Sequence, residues 1–154
     1  MKRIITLVLA VLMAAAVFTA CGGAKQVDLK ALLGEINTQF GLEGLKNLDD
    51  TSALNRYYQI DEADVKQFAG ELSTTASQYT EVILVEANDS NSAKNIAAML
   101  KAHLDTQLGT AKSYDADQVA MIEACSVKQN GNYVYLVVSD KFSDITGYIE
   151  NALK

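Results

Sequence analysis

The spacing of apolar and polar residues divides the chain into a leader and one folded segment. Ile4 to Phe18 is almost wholly apolar, interrupted only by Thr6, and shows no period. Beyond it, Leu29, Leu32, Leu33, Ile36 and Phe40 recur at helical spacing, with Asp28 placed to cap the first turn and Gly41 and Gly44 to end the helix. Asp49-Asp50 is read as the start of a second, short helix that runs through Leu54 toward Tyr57-Tyr58. The stretch Val65 to Leu72 fits either a helix, through Val65, Phe68, Ala69 and Leu72, or a hairpin strand. Its place before a strand tips the reading to strand.

From Glu81 onward the pattern sharpens. Val82-Ile83-Leu84-Val85 is an apolar, β-branched run expected to be a buried strand. Asn88 to Ser92 supplies a turn with several helix caps. A long helix follows, with Ala93, Ile96, Ala97, Leu100, Leu104 and Leu108 on one face, expected to stop or fray at Gly109. Val119 to Val127 is read as a strand, although its polar residues do not alternate cleanly. Asn130-Gly131 suits a type I′ turn with both residues at positive φ, and Tyr133 to Val138 is the returning strand. Asp140 is placed to cap a last helix carrying Phe142, Ile145, Ile149 and Leu153.

These elements predict an α+β domain: an antiparallel four-stranded sheet of two hairpins, helices packed on one face, and an N-terminal helical segment. At an offset of 52 residues, Val82, Leu84 and Val85 fall on Val134, Leu136 and Val137, and Ala93 and Ala97 fall on Ile145 and Ile149. A duplicated strand-strand-helix unit would produce such matches. So would generic strand-then-helix patterning.

The leader then acquires a chemical meaning. Met1-Lys2-Arg3 is a short positive segment, the apolar run follows, and Thr19-Ala20-Cys21-Gly22 offers the small residues a signal peptidase requires. Phe18-Thr19-Ala20-Cys21 resembles the lipobox of bacterial lipoproteins, whose Cys receives a diacylglyceryl group before cleavage. Phe18 departs from the Leu or Val usual at its place. The alternative is an uncleaved anchor, since Ile4 to Ala24 holds 21 residues without charge. Gly22 and Gly23 weaken that reading. The expected organisation is therefore a signal peptide over 1–20, lipidated Cys21 with a short tether over 21–27, and one domain over 28–154. Six residues from Gly22 to Val27 reach only about 20 Å, so the domain is expected to stand close to the outer face of a cell membrane.

Composition narrows the partners. Hydrophobic residues make up 49% of the 154, too many for a disordered chain. Loss of Lys2 and Arg3 with the leader leaves 11 basic against 19 acidic residues, a net charge of −8. That balance argues against nucleic acid and holds the domain off anionic lipid. With Cys21 acylated, Cys125 has no partner in the chain and reads as a small buried residue.

No residue set carries catalysis convincingly. The acidic pairs Asp49-Asp50, Asp61 to Asp64 and Asp115 with Asp117 lack the spacing of a calcium loop and read as caps and solvated turns. His103, the single histidine, cannot build a zinc site or a triad alone and reads as a boundary residue beside the apolar stripe. Gly109 to Ser113 only faintly resembles a phosphate loop, having Ala111 where the glycine before the lysine belongs, so no nucleotide is expected. Glu123 interrupts an apolar run and is the acidic residue considered for a site. Among seven tyrosines, Tyr57, Tyr58, Tyr79 and Tyr114 lie in or near loops, while Tyr133 and Tyr135 share a strand face. A binding surface of Tyr57, Tyr58, Tyr133, Tyr135 and Glu123 competes with plain core packing. No cofactor or metal is expected.

Tyr57-Tyr58-Gln59-Ile60-Asp61, Glu81-Val82-Ile83-Leu84-Val85 and Gly131-Asn132-Tyr133-Val134 resemble the motifs of small Gram-positive lipoproteins grouped as domain of unknown function 4358. The resemblance runs from about Leu48 to Leu153. Relatives often carry Gly where this chain has Gln59. It implies an extracytoplasmic lipoprotein and transfers no activity. The expectation is a tethered, non-enzymatic module that binds an envelope protein or a small ligand. The alternatives are an envelope hydrolase using acidic residues and, ranked last, a solute-capture lipoprotein.

Overall fold

A computed structural model describes residues 26–154; the leader, Cys21 and the tether up to residue 25 lie outside the described residues. Helix α1 (Leu29–Phe40) begins as its spacing predicts. The Asp28 carboxylate accepts from the backbone N–H of Lys30 and Ala31, and Gly41 ends the helix in the left-handed conformation. Strand β1 (Leu45–Asn47) leads to helix α2 (Thr51–Tyr58), capped by Asp50. A 3-10 turn over Glu62–Asp64 then enters strand β2 (Val65–Ser73), so the ambiguous stretch is a strand. Strand β3 (Glu81–Ala87) and helix α3 (Ser90–Tyr114, capped by Asp89) follow. Helix α4 (Val119–Glu123), strands β4 (Lys128–Asn130) and β5 (Tyr133–Val138), and helix α5 (Phe142–Ala152) complete the chain.

The sheet is open and antiparallel, with five strands in the order β1-β2-β3-β5-β4. The expected four become five because β1, three residues long, pairs along the free edge of β2, with Leu45 opposite Ser73 and Asn47 opposite Glu71. Three residues show no period, so only the pairing reveals the strand.

The helices cover both faces, not one. Ile83, Val85, Val134, Leu136 and Val138 pack under α2, α3 and α4. Val82, Leu84, Tyr135 and Val137 pack under α1 and α5. Every residue of β3 is buried, which is why Val82 to Val85 is apolar without alternation: both faces of the strand meet protein. The offset-52 matches consequently fall on opposite faces, Val82 and Leu84 on one and Val134 and Leu136 on the other. A duplication with its helices on a common face does not fit this arrangement.

Four local expectations change. Residues 119–123 form a helix, because Val119, Met121, Ile122 and the following Cys125 pack against the α3 layer and no strand stands beside them to pair with. Helix α3 runs five residues past Gly109, since burial of Ala111 and packing of Leu108 outweigh the roughly 1 kcal/mol a helical glycine costs. In the hairpin, Asn130 pairs with Tyr133, so the central residues are Gly131 and Asn132. Gly131 has φ 58° while neither asparagine is at positive φ, the pattern of a type II′ turn. Finally, the Ser139 hydroxyl, not Asp140, accepts the backbone N–H of Lys141 at the start of α5. Asp140 instead accepts from that hydroxyl.

Candidate functional site

Glu81 is the first residue of β3 and shares the face of Ile83 and Val85, toward α2 and α3. It is only 2% exposed. A carboxylate so placed needs donors, because burial without them is strongly unfavourable. Two supply them. The hydroxyl of Tyr58, the last residue of α2, donates to Oε2 at 2.8 Å, and His103 Nε2 on α3 lies 3.1 Å from Oε1. A carboxylate only accepts, so Nε2 carries a proton and a neutral ring keeps Nδ1 as its acceptor. The Tyr58 and His103 rings pack at 4.5 Å between centroids. Burial, reinforced by the Glu81 carboxylate, raises the Tyr58 phenol above its ordinary pKa. The pair is thus a fixed hydrogen-bonding floor.

The local sequence explains how Tyr58 reaches that floor. Gln59 follows it at φ 58°, in the left-handed region, and its N–H closes the helix onto Asn55 O at 2.9 Å. Glycine takes this conformation without the steric cost a side chain brings, so Gln59 holds it at some strain. Above the floor lies a depression of about 170 Å³, lined by Tyr57, Tyr58, Gln59, Met99, His103 and Thr106. Tyr57 is 42% and Met99 37% exposed, so its rim is apolar and open to solvent. The Thr106 hydroxyl donates to Ala102 O within α3, so its proton is already engaged.

The residues considered from sequence do not form one surface. Tyr57 lies on this rim and Tyr58 beneath it. Tyr133 and Tyr135 do share a face, but it is the opposite one, under α1 and α5. Tyr135 is buried, and that burial with the Glu150 carboxylate pushes its phenol up to about 12. Tyr133 is half-buried and its hydroxyl accepts the Val27 N–H at 3.4 Å. Tyr79 is buried and bonded to Asp115 at 2.7 Å; Tyr114 stands in solvent. Glu123 sits on helix α4, half-exposed, its carboxylate paired with Lys112 at 2.9 Å. Cys125 is buried with a free thiol, held above its ordinary pKa chiefly by that burial. Among the described residues no group of three or more His, Cys, Asp or Glu side chains could hold a metal ion.

His103 is the boundary residue its spacing predicts, and Glu81 carries no site signal in the sequence beyond its place on a strand. Period-two reading puts Glu81 on the inward face of Ile83 and Val85, and helical spacing puts His103 beside Leu100 and Leu104. Only the packing of α3 across β3 brings them together.

Among the described residues no helix is long and apolar enough to cross a membrane. No curated protein and no solved structure matches the chain. The family model described as Domain of unknown function (DUF4358) matches residues 39–139, which takes in all five strands, α2, α3 and α4, and leaves α5 and nearly all of α1 outside. The chain belongs to that family.

Proposed function

We propose that the protein is an exported lipoprotein, held on the outer face of a membrane through acylated Cys21, and that it acts there as a non-enzymatic module binding an envelope protein. The observation that carries the binding role is the open rim of Tyr57 and Met99 over a floor whose carboxylate already has both oxygens occupied. A volume of about 170 Å³ falls below the 300–1,000 Å³ usual for small-molecule sites and suits one inserted side chain of a partner. The route of the chain agrees with a tethered role. Val27 is held by Gln67 Nε2 and Tyr133 at one end of the sheet, under the α1 side. Glu81 lies at the other end of β3 and on the opposite face, about 17 Å along a strand rising roughly 3.3 Å per residue. The rim therefore faces away from the anchored end.

Photo-crosslinking tests this. A crosslinker at position 57 or 99 in cells should capture a protein partner that one at Glu150, on the other face, does not. Capture lost on Tyr57→Ala supports the reading; equal capture from all three positions, or none, sinks it. Mass spectrometry finding unmodified Cys21 in a chain still carrying Met1 would remove the anchor. A second reading, acid–base chemistry by His103 oriented through Glu81, has the 3.1 Å contact in its favour. A small-molecule panel that raises Tm in wild type and not in His103→Ala would move the balance to it.

A further inference from the structure

A second buried glutamate, on the other face of the sheet, is only half satisfied. Glu71 of β2 is 3% exposed. Asn37 of α1 donates its Nδ2 hydrogen to Glu71 Oε2 at 2.8 Å, and this bond ties the helix to the sheet. The remaining oxygens of the same two side chains, Asn37 Oδ1 and Glu71 Oε1, are both buried and without a partner. Both are acceptors, so they cannot satisfy each other while Glu71 is ionised. One proton repairs both at once. A carboxylic acid O–H at Oε1 donating to Oδ1, together with the existing N–H bond, closes the two-bond ring that an acid and an amide form.

We propose that Glu71 is carried as the neutral acid and forms this ring with Asn37, so that the docking of α1 on the sheet is controlled by pH. The surroundings support a neutral state. Asn47 lies across from Glu71 on β1 and Val82 across from it on β3. The charged groups of the neighbouring elements are engaged or directed elsewhere. Glu81 is bound on the other face, Glu86 is paired with Lys66, Glu35 accepts from Tyr148, and Lys141 donates to Phe40 O. Lys46 pairs in register with Leu72, beside Glu71, and is exposed. Lys30 and Asp49, of opposite sign, line a cleft of about 390 Å³ that reaches Asn37 and gives solvent protons a route in. Burial raises the carboxyl above its ordinary pKa, with the Asn37 bond opposing.

The sign follows from linkage. A carboxyl whose folded pKa is raised keeps its proton longer in the folded chain. Its contribution is full at low pH and is lost as pH rises through the folded value. Each pH unit between the ordinary glutamate value and the folded value multiplies the open population of α1 about tenfold, and above the folded value the effect levels off. On the proposed reading of an anchor at Cys21, α1 lies between that anchor and the matched family region, so its release would lengthen the tether.

The test uses the full-length chain. Carbon-detected NMR of the Glu71 carboxyl should show titration above the ordinary glutamate range. As pH rises from the ordinary glutamate range toward that titration, Tm should fall and amide exchange in α1, corrected for base catalysis, should quicken about tenfold per unit, both levelling off above it. Glu71→Gln keeps the ring with an amide and should be flat over the same window and at least as stable as wild type at pH 8. Titration in the ordinary range or below would overturn the proposal, since the carboxylate would then be served by water. A Glu71→Gln protein markedly less stable than wild type at pH 8 would overturn it equally.

Discussion

Glu81 and Glu71 are two buried carboxylates on opposite faces of one sheet, and they solve the same problem differently. Glu81 meets a hydroxyl and an imidazole, so each of its oxygens has a partner. Glu71 meets one amide, which offers a donor to one oxygen and an acceptor to the other. The first arrangement is a fixed floor under an open rim. The second is complete only with an added proton. Burial alone does not decide the role of an acidic residue; the donor count around it does.

The strongest way to break the comparison is to weaken each layer in turn. Leu100, fully buried on the inner face of α3, should cost about 2–5 kcal/mol as Leu100→Ala and lower the melting of the whole domain. Leu32→Ala on the inner face of α1 falls in the same range but should appear first as faster amide exchange in α1, if the two layers open separately. A single, simultaneous transition for both variants would show that they do not.

Next come the carboxylates themselves. Glu81→Leu leaves the buried Tyr58 hydroxyl without an acceptor and should cost about 1–3 kcal/mol by denaturant melts. Glu81→Gln offers one acceptor and one donor, so the ring proton of His103 should move to Nδ1, visible in imidazole nitrogen shifts. Glu71→Gln should cost nothing at pH 8. Finding the same sign of stability change for Glu81→Leu and Glu71→Gln would erase the distinction.

Two smaller effects sharpen each side. Asp28→Ala removes the cap of α1 and should cost about 1 kcal/mol, read as reduced protection of α1 alone. Gln59→Gly relieves the left-handed residue behind Tyr58 and should stabilise α2 by up to about 1 kcal/mol. Tyr57 capture should be unchanged by either.

Elements with strong local signals were readable in advance. The cap at Asp28, the helix start at Asp49-Asp50, the stripe of α3, the strand at Val82 to Val85 and the hairpin before Tyr133 all follow from neighbours a few residues apart, while which residue of Asn88 to Ser92 caps α3 does not. The misreadings share a cause. Val119 to Ile122 is a short apolar run, which fits strand or helix equally until its partners are known. β1 exists only because the edge of β2 was free. Glu123 was considered for a site because it interrupts an apolar run; on α4 it pairs with Lys112.

By itself, then, the amino-acid order determined an α+β chain with an antiparallel sheet, the position of most elements and, as an expectation, lipid on Cys21. Those rest on periodicity, capping and cleavage chemistry, all local in range. The tertiary structure decided that helices cover both faces, that Tyr58, Glu81 and His103 meet, and that Asn37 and Glu71 share a single bond. Such contacts join residues 22 to 45 positions apart, and no local pattern encodes which face a helix will choose.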